Sequence, residues 1–229
     1  MKFGVIVFPG SNCDMDMIYI LQEILNVPAT KLWHKDTDLK GCDILILPGG
    51  FSYGDYLRSG AIAKFSPIMN EVIGFAKAGG IVIGICNGFQ ILCEAGLLPG
   101  ALLHNTNNKF ICKNVYLKVV SKNTLLTSGC NDMPIQIPIA HAEGRYFAKE
   151  NTINMLQNND QIMFKYCDSS GDINIGSNPN GSMLNIAGIC NKERNVFGMM
   201  PHPERASDKE LKNNSGKILF ENLLASKLI

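Results

Sequence analysis

Cys86 stands in Gly84-Ile85-Cys86-Asn87-Gly88-Phe89-Gln90, with a glycine two residues away on either side. A thiol does nucleophilic chemistry when it is exposed, largely deprotonated and served by a base that takes and returns its proton. The base has few candidates. Of four histidines, His34 in Lys-Leu-Trp-His-Lys and His104 after Leu102-Leu103 read as structural or surface residues. The other two open His-x-Glu pairs, His141-Ala142-Glu143 and His202-Pro203-Glu204. In an extended segment residues i and i+2 point the same way, so either pair can set a carboxylate beside an imidazole. The second is better built, because Pro201 and Pro203 preset extended backbone around His202. A Cys86–His202–Glu204 triad is the favoured reading. The oxyanion of an acyl-transfer step then needs donors: the amide of Asn87, directly after the nucleophile, and one from Gly49-Gly50, where the backbone lies bare.

These residues need a frame. Ile81 to Ile85 is apolar and β-branched, as a buried parallel strand should be, and Phe89, Ile91, Leu92 and Ala95 recur at helical spacing up to Gly96. Cys86 therefore falls on a sharp strand-to-helix turn at the amino end of the helix, which favours thiolate. Strand and helix alternate over the first hundred residues. Strands are expected at Lys2–Phe8, 29–33 and Asp43–Leu47. A helix over 15–25 buries Ile18, Leu21, Ile24 and Leu25, and a second spans about 67–78. That alternation predicts an α/β fold, a three-layer flavodoxin-like sheet with helices on both faces and ligands at the carboxyl ends of the strands. The second half reads as exposed or antiparallel strands over Phe110–Val120, Pro134–Ala140, Gln161–Tyr166 and Leu184–Cys190, with a buried strand at Val196–Met200. A closing helix from about Ser215 turns Ile218, Leu219, Leu223 and Leu224 to one side, and 168–182 reads as a surface loop. No linker or repeat divides the chain, so 1–229 is expected to be one domain.

Composition narrows the function. With 21 Lys and Arg against 20 Asp and Glu, the net charge is +1, which favours neither nucleic acid nor an anionic membrane surface. No apolar run is long enough to span a bilayer, and Met1-Lys2-Phe3 leads directly into a strand rather than a signal sequence. Eight scattered cysteines form no Cys-x-x-Cys pair and no zinc spacing. They fit a reducing, cytoplasmic setting, and no metal is expected. Cys13 is the rival nucleophile, after a strand and near a helix start, but without flanking glycines it reads as a turn residue. Neither a P-loop nor a Gly-x-Gly-x-x-Gly motif occurs.

Gly84-Ile85-Cys86-Asn87-Gly88-Phe89-Gln90, Pro201-His202-Pro203-Glu204 and Pro48-Gly49-Gly50 together resemble the class I, or triad, glutamine amidotransferases. Three longer segments resemble the branch serving formylglycinamidine ribonucleotide synthesis in purine biosynthesis. They are 8–14, 48–58 and His141-Ala142-Glu143-Gly144-Arg145. The resemblance covers the whole chain and implies that Cys86 attacks the glutamine side-chain amide, with Gly49, Gly50, Asn87 and Gln90 binding substrate. It also implies a separate large synthetase subunit, which binds ATP, Mg and formylglycinamide ribonucleotide, and a small accessory subunit. No cofactor is expected on this chain. His141, Glu143, Arg145 and the 51–58 loop with Arg58 are left for docking or ammonia passage. The alternatives are a class I glutaminase of another pathway, a cysteine hydrolase of the same superfamily, and a non-catalytic assembly subunit.

Overall fold

A computed structural model describes residues 1–225, which form two compact units. The first comprises Met1–Pro99 with Asn195–Gly198. Its strands β1 (Phe3–Val7), β2 (Ala29–Trp33), β3 (Ile44–Leu47) and β4 (Ile81–Ile85) run parallel in the order β2-β1-β3-β4. β3 is buried along its whole length and β1 and β4 nearly so. This accounts for their continuous Val, Ile and Leu rather than alternation. Helices α1 (Asp14–Tyr19), α2 (Pro67–Lys77) and α3 (Asn87–Glu94) follow β1, β3 and β4. α2 starts on Pro67, where a missing N–H costs nothing.

The helix expected over 15–25 differs from its prediction. After Tyr19 the chain widens into a π turn, Ile20–Ile24, and the buried side chains are Met17, Ile20 and Leu21. The wider turn shifts the register, leaving Ile18, Ile24 and Leu25 only half-buried.

The second unit comprises Gly100–Arg194 and Met199 onward. Strands β6 (Ile111–Val119), β7 (Ile135–His141), β9 (Ile162–Cys167) and β10 (Ile186–Cys190) are antiparallel neighbours in the order β10-β9-β6-β7. β7 alternates buried and half-buried residues, as a sheet with one covered face requires. Sequence patterning gave no sign of the short pair β5 (Ala101–Leu103) and β8 (Arg145–Phe147), or of helix α4 (Glu150–Asn158). α4 buries only Ile153 and Leu156, too few for a visible period.

The 168–182 stretch is more than a surface loop. Asn174 and Ser177 close a capping box on a 3-10 turn, and Asn180 is wholly buried. Strand β11 (Val196–Met199) begins in the first unit, where Val82 N donates to Asn195 O at 2.9 Å. There the Asn195 side chain donates to Ala76 O and Gly80 O, both at 2.8 Å, tying β11 to the end of α2 and the turn after it. The closing helix α5 (Lys217–Ala225) buries Leu219, Phe220, Asn222 and Leu223, one position off the expected face.

Candidate active site

Cys86 sits between β4 and α3 with φ 52° and ψ −106°, a conformation that a non-glycine residue adopts only when its surroundings enforce it. The enforcement is visible in the flanking glycines. A Cβ at Gly84 would come within 2.6 Å of the Gly88 backbone and of Leu92 Cδ1, and one at Gly88 would overlap Leu47 O. α3 thus starts pressed onto the end of β3, and the turn has no slack. Gln90 N donates to Cys86 O at 3.1 Å, so the helix begins at the nucleophile. The residue is 5% exposed, at the amino end of the eight-residue helix α3.

Gly49 and Gly50 follow β3. Cys13 N donates to Gly49 O at 3.2 Å, Phe51 N to Gly10 O at 3.0 Å and Tyr53 N to Pro9 O at 2.6 Å. Gly50 has φ 144°, and a Cβ there would meet Asn12 N and Ser11 Cα at 2.7 Å, so only glycine fits. The Gly50 N–H takes no part in the bonds that clamp its neighbours. Cys13, the rival nucleophile, instead scaffolds this turn through its backbone, with its thiol 3.4 Å from Asn12 Oδ1. Asn87 and Gln90, both buried, lie at the start of α3 and are joined by Asn87 Nδ2 donating to Gln90 Oε1 at 2.9 Å.

Arg58 does not project freely. It clasps Glu94 at 2.6 and 2.7 Å, fastening its loop to the end of α3, and holds the Glu94 carboxyl below the usual range. Tyr56 and Leu57 beside it are strongly exposed.

His202 and Glu204 belong to the second unit. His202 N donates to Pro138 O of β7 at 2.9 Å, and Met200 N to Ala187 O of β10 at 3.0 Å. The 3-10 turn Pro203–Ala206 lies against Gly216, where a Cβ would meet Pro203 O at 2.7 Å. So braced, His202 Nδ1 pairs with Glu204 Oε1 at 2.6 Å, with both side chains about 2% exposed or less. Since a carboxylate only accepts, the Nδ1 position carries the proton and Nε2 is left as the basic nitrogen. Glu204 Oε2 is buried without a partner, so that carboxylate is committed to the imidazole.

The other His-x-Glu pair is not a dyad. β7 ends at His141, and the bend after it breaks the i, i+2 alignment. Glu143 meets the exposed His104 instead, at 3.4 Å, and Arg145 Nε donates to His104 O at 2.9 Å. His141 Nδ1 bonds Asn105 Oδ1 at 3.1 Å, an oxygen that also accepts from Gly144 N. Asn105 Nδ2 serves Lys109 O and His141 O, so its orientation is fixed. The neutral ring therefore carries its proton on Nδ1, and its Nε2 is buried and unpartnered. Sequence reading missed Asn105 and Asn180, the amides that hold this segment; Asn180 Nδ2 donates to Gly144 O at 2.8 Å.

Burial, and secondarily the charge of His202, pushes His141 down to about 4. With an unfolded value near 6.5 the folded-state value is depressed, so its stability contribution is whole above pH 6.5. It declines as pH falls toward 4, by about 3 kcal/mol. Urea unfolding between pH 7 and 4 should show this decline, and His141→Gln should lack that component of it.

The CobB/CobQ-like glutamine amidotransferase domain matches residues 1–222. The phosphoribosylformylglycinamidine synthase subunit PurQ of Gloeobacter violaceus is 55% identical over 100% of this chain and 99% of its own length. The PurQ of Moorella thermoacetica is 54% identical over 98% and 95%. Among solved structures, PurLQS from Thermotoga maritima contains a chain with TM-score 0.85 and 41% identity, covering 98% of both chains. A glutamine amidotransferase from Thermotoga maritima, at 15% identity and TM-score 0.56 over 100% of this chain and 92% of that one, shares the fold. The α/β expectation holds, and the chain belongs to the CobB/CobQ-like glutamine amidotransferase family.

Proposed function

We propose that this chain hydrolyses L-glutamine to glutamate and ammonia and delivers the ammonia for the phosphoribosylformylglycinamidine synthase reaction of purine biosynthesis. The observation that carries the reading is Cys86 held at φ 52° on a strand-to-helix turn that tolerates only glycine at 84 and 88. Identity above 50% to PurQ relatives over nearly their whole length supports the choice of reaction.

His202 Nε2 takes the Cys86 thiol proton, and the resulting thiolate attacks the side-chain carboxamide carbon. Gly50 and Asn87 amides receive the oxyanion, while Gly49 and Gln90 help seat the substrate. As the C–N bond breaks, His202 gives its proton to the leaving ammonia, and a glutamyl thioester remains. His202 then takes a proton from water, the hydroxide cleaves the thioester, and the departing thiolate regains its proton from His202. Glu204 keeps the base in one tautomer and stabilises its imidazolium form.

The ammonia goes to a large synthetase subunit that uses ATP and Mg, within a complex that also has a small subunit. The Thermotoga assembly, PurLQS, supports such a complex. No cofactor sits on this chain in the proposal. Residues 1–229 work as one amidotransferase domain, supported by a family match that runs through both units. Its site of action is the cytoplasm; among the described residues no helix is long and apolar enough to cross a membrane. The Phe51–Arg58 loop and His141, Glu143 and Arg145 serve docking or ammonia passage.

The test is ammonia release from glutamine by the chain alone, then with the synthetase subunit, ATP and formylglycinamide ribonucleotide. Glutamine-dependent product in the complete mixture is expected. Product formed equally well without this chain would refute the proposal.

A further inference from the structure

The two oxyanion donors come from different segments, both of which meet at the end of β3. Gly50 lies in a turn clamped to residues 9–13 through the Cys13–Gly49, Phe51–Gly10 and Tyr53–Pro9 backbone bonds. The Asn87 amide belongs to the elbow, which rests on β3 through Gly88 and Leu47. A pair of donors stabilises an oxyanion only if both lie roughly 2.7–3.1 Å from the same point, so the distance between these two segments matters.

One side chain joins them. Asn87 is wholly buried, and its Oδ1 accepts from Ser52 N, two residues after Gly50, at 3.2 Å. That bond fixes the amide orientation, because a backbone N–H can only donate. Nδ2 is then turned to Asp55 Oδ1 at 3.2 Å and Gln90 Oε1 at 2.9 Å. Residues Tyr53, Gly54 and Asp55 all have left-handed backbone, with φ 56°, 65° and 54°. Such a turn relaxes unless it is held. Two hydrogen bonds from one buried amide, to Ser52 N and Asp55 Oδ1, hold it against the elbow, and the third, to Gln90 on α3, steadies the amide itself.

We propose that the Asn87 side chain is a positioning residue that sets the spacing between the Gly50 and Asn87 oxyanion donors. The inference rests on the glutaminase reading above. It assigns the side chain a role separate from that of its own backbone N–H. Asn87→Ala leaves that N–H in place and removes the side-chain bonds to Ser52, Asp55 and Gln90.

Two rates in the assembled enzyme separate this role from a merely structural one. Glutamine hydrolysis passes through an oxyanion, whereas alkylation of Cys86 by iodoacetamide does not. Asn87→Ala should slow hydrolysis about a hundredfold, the lower end for loss of one oxyanion donor. It should leave Cys86 alkylation within about threefold. The swap Asn87→Asp with Asp55→Asn keeps an acceptor for Ser52 N and a donor–acceptor pair with residue 55, and should recover most of the hydrolysis rate.

Undiminished hydrolysis in Asn87→Ala, a parallel fall in both rates, or no recovery in a folded swap variant would overturn the proposal. A wild-type enzyme that forms no glutamate would instead defeat the glutaminase reading itself. If Asn87→Ala does not fold, the swap variant carries the decision.

Discussion

Cys86→Ala is expected to abolish glutamine hydrolysis, with a loss of at least about 10⁴-fold, while synthesis from added ammonium persists in the assembled enzyme. The loss is large because the covalent step itself is removed. Cys13, the other cysteine near a strand end, is bound into the oxyanion turn through its backbone N–H to Gly49 O. Cys13→Ala keeps that bond and should lower the rate by less than about threefold. A steady-state assay of glutamate formation, run beside the ammonium-dependent reaction, checks both variants. The persistence of the second reaction shows that the damage is confined to the glutaminase.

Gly88→Ala should be the most damaging single methyl in the first unit. Its Cβ would overlap Leu47 O, a backbone atom of a fully buried strand that cannot turn aside. Relief requires α3 to lift from β3, which opens the tightest contact of the elbow and lets Cys86 leave its strained conformation. We expect destabilisation of more than about 3 kcal/mol, or no folded product. Gly74→Ala is the matched control. Gly74 also lies in a helix, α2, but a Cβ there meets nothing within 4 Å. That substitution should stabilise by about 0.5–1 kcal/mol, through helix propensity and a less flexible unfolded chain. Urea unfolding of the two variants side by side reads the contrast directly.

The parts of the site that could be read from sequence are those whose geometry is local. Gly84, Cys86 and Gly88 lie within five residues, and the crowding at Gly84 arises where strand meets helix, although that at Gly88 comes from Leu47 of β3. His202 and Glu204 are two residues apart around Pro203, but their 2.6 Å contact is made across the start of the 3-10 turn Pro203–Ala206 and not in the extended backbone that the i, i+2 rule assumes. The same rule fails for His141 and Glu143, because β7 ends at His141 and the bend that follows turns Glu143 toward His104. Where a strand ends is set by its partners, and residue spacing does not contain that information.

The remaining omissions share that cause. α4 shows too few apolar residues to declare a period, and β5 and β8 pair across more than forty positions with three residues each. Asn105, Asn180 and the side chain of Asn87, as distinct from its backbone amide, look like ordinary polar groups in sequence. Their importance lies in bonds to Ser52, Gly144 and other distant backbone groups, which composition cannot reveal. In the 168–182 stretch an abundance of Asn, Gly and Ser suggested a solvated loop, yet those same side chains build its capped turn.

The central claim is that Cys86 carries the glutamyl group during turnover. Rapid acid quenching of the assembled enzyme with glutamine, followed by peptide mass spectrometry, tests it most directly. The account predicts a glutamyl adduct on the peptide containing Cys86, formed and consumed at the rate of glutamate production and absent in Cys86→Ala. An adduct on Cys13, or glutamate production by Cys86→Ala at the wild-type rate, would contradict it.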